Sequence, residues 1–333
     1  MHALFSDCLH PTRLGRGDGN VVYHTPVLVN EVVDYLRPSH KALILDGTLG
    51  GGGHSASLLR SGASIIAVDQ DPEAITYSKE RLARYSSRIR IVQDNFRKIH
   101  HVLCSLNVQK LDGALLDVGV SSRQLENPNR GFAILKNGPL DMRMDPLAPL
   151  SAADIVNTAS LSELAHIFRE YGQEPHAFRI ASRLVVLRSR RPVSTTFDLV
   201  SIVKSVVSRY CHNSYRPVTR VFQALRIAVN DELGALQEGL SAISSHLAYG
   251  ARFTVITFHS LEDRIVKHFF LRNSMKWINY LAWPAPRPNP YRIFRLLTPH
   301  PIRASREEIH NNPRARSAKL RVVESILRGK RGQ

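Results

Sequence analysis

Three aspartates, Asp46, Asp69 and Asp117, each end a short apolar run, and the first opens the string Asp46-Gly47-Thr48-Leu49-Gly50-Gly51-Gly52-Gly53-His54. An apolar strand that runs straight into glycines and then into a helix lets the backbone pass close to a ligand. It also turns the free N–H groups of the helix toward that ligand. A dinucleotide site would use similar parts, but Ser55 stands where the last glycine of GxGxxG would fall, and no Gly-Lys-Ser or Gly-Lys-Thr follows to build a P-loop. Asp69, 22 positions after Gly47, is placed to accept both hydroxyls of an adenosine ribose. Asp94-Asn95-Phe96 offers an amide and an aromatic face to an adenine, and Asp117 lies at the carboxyl edge where ligands of an open α/β sheet bind. Any one of these aspartates reads equally well as a turn or helix cap. Together they point to one adenosine-like ligand.

The elements that must position these residues are legible as apolar periodicity. Val27 to Leu36 has helical spacing, with Thr25 and Pro26 as cap and first-turn residue. Short apolar runs at 42–45, 64–68, 89–92 and 114–116, separated by helical segments such as 72–85, predict a parallel sheet covered by helices. Residues 123–222 show helical patches and no convincing strand, and are expected to form an inserted helical domain. The α/β pattern resumes with a long helix over 219–247, a strand at 253–258, a helix opening at Ser260, and strands at 293–297 and 320–323. The Pro-rich stretch 283–291 should be extended and exposed. The expected fold is therefore α/β, a Rossmann-like parallel sheet split by an inserted helical domain. Its cofactor domain comprises 23–122 and 223–333, its helical substrate domain 123–222, and residues 1–22 form a mobile extension.

Among 333 residues, 45 Lys and Arg stand against 28 Asp and Glu, a formal charge of +17 that favours a polyanionic partner. Cys8, Cys104 and Cys211 are odd in number and have no CxxC spacing, so neither a disulfide framework nor a metal site is indicated; they read as reduced thiols of a cytoplasmic protein. No apolar run approaches the ~18 residues of a membrane span. Nothing in the sequence sets the oligomeric state.

Seven unusual strings occur here in one order: His24 to Leu28, the glycine loop, Asp117 to Ser122, Gly138 to Asp145, Thr219 to Leu233, Phe258 to Lys267 and Asn312 to Ser317. In these the chain resembles the bacterial family of ribosomal RNA small subunit methyltransferase H, also called MraW, over about residues 24–323. The resemblance implies a class I methyltransferase sheet with an inserted helical domain, and transfer of a methyl group from S-adenosylmethionine to N4 of a cytidine in the decoding centre of 16S ribosomal RNA, with the small ribosomal subunit as partner. It implies cofactor contacts at Gly52, Gly53, His54, Asp69, Phe96, Asp117 and Gln124. Two positions depart from the family pattern: Gly51 replaces a larger, often basic residue, and Arg123 replaces a proline before Gln124.

Cytosine N4 is a weak nucleophile because its lone pair is conjugated into the ring. The site must therefore orient the amine and accept its hydrogens as charge develops. Methylation of a pyrimidine carbon would need a Cys nucleophile, and none of the three cysteines lies in a plausible active-site string. Asp117 and Asp141 are the leading candidates to grip the amine, with Ser121, Asn230, His259 and Ser260 as further contacts. Structural alternatives exist for each: Asp141 as ion-pair partner of Arg143, Asn230 as a polar residue on a helix facing the sheet, Ser260 as a helix N-cap. For RNA, one arginine cluster comprises Arg179, Arg183, Arg188, Arg190 and Arg191. A second comprises Arg314, Arg316, Lys319, Arg321, Arg328, Lys330 and Arg331. Two rival readings are a DNA amino-methyltransferase, whose usual Asp/Asn-Pro-Pro-aromatic string is here Asp117-Val118-Gly119-Val120, and a non-catalytic RNA-binding assembly factor.

Overall fold

The computed structural model describes residues 26–208, 215–279 and 285–327. The expected N-terminal extension, and Arg328, Lys330 and Arg331 of the basic cluster, lie outside the described residues. In chain order the first elements are α1 (Val29–Leu36), β1 (Leu43–Asp46), α2 (Gly53–Arg60), β2 (Ser64–Asp69), α3 (Pro72–Arg81), β3 (Ile89–Gln93), α4 (Ile99–Ser105) and β4 (Leu111–Asp117). Six helices follow: α5 (Ser122–Glu126), α6 (Ala152–Thr158), α7 (Leu161–Glu170), α8 (Ala177–Arg188), α9 (Thr196–Val207) and α10 (Tyr215–Asn230). The chain then continues through α11 (Glu232–His246), β5 (Leu247–Thr257), α12 (Ser260–Arg272), β6 (Trp277–Ile278), β7 (Arg287–Pro288), β8 (Phe294–Leu296), α13 (Arg306–Asn311) and β9 (Lys319–Ser325). Its described residues divide into two compact units, one within 120–232 and the other within 26–119 and 233–327.

In the sheet unit the strand order is β3-β2-β1-β4-β5-β9-β8. β1 to β5 are parallel, and β9 runs antiparallel to both β5 and β8. The order reverses between β1 and β4, so the carboxyl ends of these neighbours frame the crevice in which open sheets bind ligands. The sheet is covered on both faces. Leu45, Ile66, Val68, Ala114 and Leu116 pack into one core with residues of α4, α11 and α12, while Ile44, Ile65, Ala67 and Leu115 pack into another with residues of α1, α2 and α3. Burial of successive residues on opposite faces is why these runs are continuously apolar rather than alternating.

The helical unit is built on a separate core that includes Leu164, Phe168, Ile180, Leu184, Val203, Val221 and Leu225. Reciprocal capping boxes start α5 (Ser121 with Gln124), α6 (Ser151 with Asp154), α7 (Ser160 with Glu163) and α9 (Thr195 with Asp198).

Three expectations need correction. The helix expected over 219–247 is two helices, α10 and α11, broken at Asp231, whose φ of 44° leaves the helical region, and Leu247 already belongs to β5. α1 begins at Val29, with a left-handed Leu28 at its N-cap and no side-chain cap; Thr25 lies outside the described residues. The Leu28 N–H instead donates to Glu308 Oε1 at 2.7 Å, a partner 280 positions away. In the Pro-rich stretch, the described residues 285–288 and Tyr291 are exposed, but Asn289 is buried and Arg287–Pro288 pairs with Trp277–Ile278 in a two-stranded ribbon.

Candidate active site

The glycine loop is held from both sides by β1, β2 and β4. Gly47 N–H donates to Leu115 O at 2.9 Å, Leu49 N–H to Val68 O at 3.0 Å, and Gly50 N–H to Asp69 Oδ2 at 2.7 Å. Ser78 Oγ and Arg81 Nη1 of α3 donate to the carbonyls of Gly50 and Gly51, so the loop's outward oxygens are also satisfied. Gly52, with φ 70°, caps α2 from the left-handed region, which a residue with a Cβ adopts at a cost. Gly53 is needed for a different reason, since a Cβ there would lie 2.7 Å from Pro26 Cγ. The first turn of α2, at Gly53 and His54, is thereby left with backbone N–H groups that have no intrahelical acceptor.

The acidic residues around this loop differ in how far their oxygens are used. Asp46, buried at the end of β1, accepts from Ser55 Oγ at 2.6 Å and from Thr48 N–H at 3.3 Å. Asp69 accepts from Gly50 N–H and, through Oδ1, from Asp71 N–H at 2.9 Å. Asp117 donates its own N–H to Thr48 Oγ1 at 2.6 Å, but its Oδ1 is buried with no hydrogen-bond partner. Its Oδ2 lies 3.7 Å from His54 Nδ1, beyond hydrogen-bond range. His54 Nε2 is 2.9 Å from Val27 O; a carbonyl can only accept, so Nε2 carries a proton and Nδ1 is the ring nitrogen that faces Asp117.

Burial pushes the carboxyls of Asp69 and Asp117 up to about 6 and raises Asp46 as well. Mutual repulsion with Asp46 adds to the shift of both Asp69 and Asp117, and Glu262 adds to that of Asp117. Three under-compensated carboxylates at one sheet edge are suited to a ligand that brings positive charge and hydroxyl donors. The sulfonium, ammonium and ribose of S-adenosylmethionine supply these, and the unpartnered Oδ1 of Asp117 fits such a ligand.

The remaining candidates occupy varied environments. In the sheet unit, Phe96 follows β3 and its ring packs on α11, where a Cβ at Gly239 would come within 2.5 Å of it. His259, and not Ser260, is the N-cap of α12; its side chain accepts from Glu262 N–H, and Glu262 Oε2 accepts from the N–H groups of Phe258 and His259 at 2.9 and 3.2 Å. The imidazole and the buried Glu262 therefore organise the turn out of β5. In the C-terminal basic cluster, Arg314 is half-buried and Arg316 exposed, whereas Lys319 and Arg321 donate to Asp263 at 2.9 and 2.7 Å and serve the fold.

In the helical unit, Asp141 is held by Arg143: Nη2 donates to Oδ2 at 2.7 Å and Nε to Oδ1 at 3.0 Å. Asn230 clamps the same segment, accepting from Met144 N–H and donating to Met142 O, both at 2.8 Å. Met142 is left-handed with φ 62°, a strained conformation that this clamp maintains. Ser121 and Gln124 form the capping box of α5, with Gln124 Oε1 accepting from Ser121 N–H at 2.9 Å. Arg188 donates to Val156 O at 2.7 Å, while Arg190 and Arg191 are exposed, the latter 3.6 Å from Asp198. Sequence reasoning missed Thr48, Ser55 and Gly239. Hydroxyls inside the glycine loop and its helix were the available signal for the first two, and no local signal marks the third.

A parallel sheet closed by an antiparallel strand, a glycine loop leaving β1 at the switch point, and acidic residues ending β1, β2 and β4 define a class I S-adenosylmethionine-dependent methyltransferase. The chain belongs to the MraW methylase family, which it matches over residues 21–326. It is 43% identical to ribosomal RNA small subunit methyltransferase H of Carboxydothermus hydrogenoformans over 91% of this chain and 98% of that one. With the methyltransferases H of Geobacter sulfurreducens and Heliobacterium modesticaldum the identities are 45% and 44%, covering 91% and 92% of this chain and 99% of each relative. Among the described residues no helix is long and apolar enough to cross a membrane.

Proposed function

We propose that this protein, acting in the cytoplasm, methylates N4 of a cytidine in the decoding centre of 16S ribosomal RNA within the small ribosomal subunit. The observation that carries the reading is Asp117 Oδ1, a buried carboxylate oxygen with no partner at the switch point of the sheet. The names of the relatives, which share more than nine-tenths of their length with this chain, support small-subunit ribosomal RNA as the substrate.

When bound, the cofactor supplies an electrophilic methyl group on a sulfonium sulfur. Asp69 would accept the ribose hydroxyls, the first-turn N–H groups at Gly53 and His54 would meet the cofactor's carboxylate, and Phe96 would border the adenine. Asp117 accepts an N–H of the target amine, which turns the nitrogen lone pair toward the methyl and offsets the positive charge that grows on N4. A carboxyl near 6 is mostly ionised at neutral pH and can therefore serve as that acceptor. Asp141 holds Arg143 in a fixed orientation, and we assign that pair to the RNA backbone rather than to the amine.

The reading is tested by adding the protein and labelled S-adenosylmethionine to small subunits from cells that lack it, then digesting the RNA to nucleosides. The label is expected on N4 of cytidine and should vanish with Asp117→Ala. Label on a ribose, on a pyrimidine carbon or in DNA overturns the assignment and leaves the cofactor site standing.

A further inference from the structure

From Arg264 to Arg306 the chain carries nine Lys and Arg and no Asp or Glu. At the end of α12 this segment folds into the β6–β7 ribbon, with Trp277 opposite Pro288 and Ile278 opposite Arg287. Trp277 is 58% exposed and Tyr291 55% exposed. Lys276 and Arg287 are exposed beside them, and the Arg272 guanidinium sits 5.6 Å over the Tyr291 ring. The mount is rigid. The buried Asn289 donates through Nδ2 to the carbonyls of Arg272 and Met275 at 2.7 and 2.9 Å, and accepts from Tyr291 N–H at 3.0 Å.

We propose that this ribbon is a stacking platform for single-stranded RNA, a second contact for the substrate away from the methyl-transfer site. It rests on the reading of the substrate as RNA. α12 starts at the carboxyl edge of the sheet beside β5 and runs for 13 residues, which carries the ribbon about 20 Å from that edge. Exposed aromatic rings flanked by cations, with no carboxylate in the same stretch of chain, match a strand that presents base faces and phosphates together. A protein partner would be met by a surface depleted in lysine at its centre. Because Asn289 already pins the backbone that carries Arg272, Met275 and Tyr291, little backbone freedom remains there to be lost on binding.

The test uses the full-length protein and a short oligouridine as probe. The Trp277→Ala, Tyr291→Ala double variant should bind the oligonucleotide about tenfold or more weakly, from the loss of stacking on a base. Its KM for the small subunit should rise while kcat and S-adenosylmethionine affinity stay as in the parent. Trp277→Phe should restore most of the affinity, and Lys276→Gln with Arg287→Gln should flatten its salt dependence even if the aromatic variant folds poorly. Unchanged oligonucleotide affinity in the folded variants overturns the proposal, and so does unchanged oligonucleotide affinity with lost subunit binding, which would mark a protein partner. Failure of the parent protein to methylate subunits would strike the function proposed above, whereas oligonucleotide binding needs no methyl transfer.

Discussion

Acidification should release the cofactor from this protein well before it unfolds the chain. Burial holds the carboxyls of Asp69 and Asp117 at about 6 in the free protein, and both must be ionised to accept ribose hydroxyls or face a cationic ligand. For one such group, affinity scales with its ionised fraction, so going from about pH 7.5 to about pH 5 weakens binding about tenfold, and about a hundredfold when both are required. Calorimetric titration of S-adenosylmethionine across this range, in buffers of different ionisation enthalpy, measures the affinity and the protons released on binding. Proton release should rise as pH falls and reach half its limit near the pKa of about 6, and Asp117→Asn should remove one of the two contributions. The effect on the free fold has the opposite sign. A carboxyl raised above its unfolded value contributes stability that is present below the unfolded pKa of 3.8 and is lost as pH rises through about 6. Ligand-free protein should therefore lose this contribution over the same pH range in which it gains affinity. An affinity that stays flat while the protein remains folded would refute the placement of these two groups against the cofactor.

Asn230→Ala removes the amide that accepts from Met144 N–H and donates to Met142 O, and should cost about 1–3 kcal/mol in denaturant unfolding. A change in midpoint too small to resolve would show that the strained segment holds itself. Asp263→Asn leaves the almost fully buried Arg321 without its carboxylate and should destabilise by about 3–5 kcal/mol. In the parent, Lys319 and Arg321 hold this carboxyl below its usual range, so its contribution is present above the unfolded pKa and lost as pH falls through the folded one. A variant with parental stability near neutral pH would place the strength of the β9 edge elsewhere.

Much of the site could be read from residue order because its parts are local. β1, β2 and β4 appear as apolar runs since each is buried on both faces, and the glycines between β1 and α2 announce a tight, ligand-facing turn whatever surrounds them. The acids at 46, 69 and 117 stand where strand ends must fall. The family strings then narrowed the ligand and the substrate further than any local pattern could.

Tertiary structure alone decided which polar groups remain unsatisfied, and that depends on partners distant in sequence. Asp69 and Asp117 look alike as strand-end aspartates, yet one is occupied by loop N–H groups and the other keeps a bare oxygen. Glu308 sets the start of α1 from 280 residues away, and Asn230 fixes a strained Met142 from 88 residues away. Arg321 is one more basic residue in a basic tail until the antiparallel strand β9 delivers it to Asp263. Periodicity reports that a side chain is buried. It carries no information about which donor meets which acceptor, because that pairing is set by the close packing of elements that are remote along the chain.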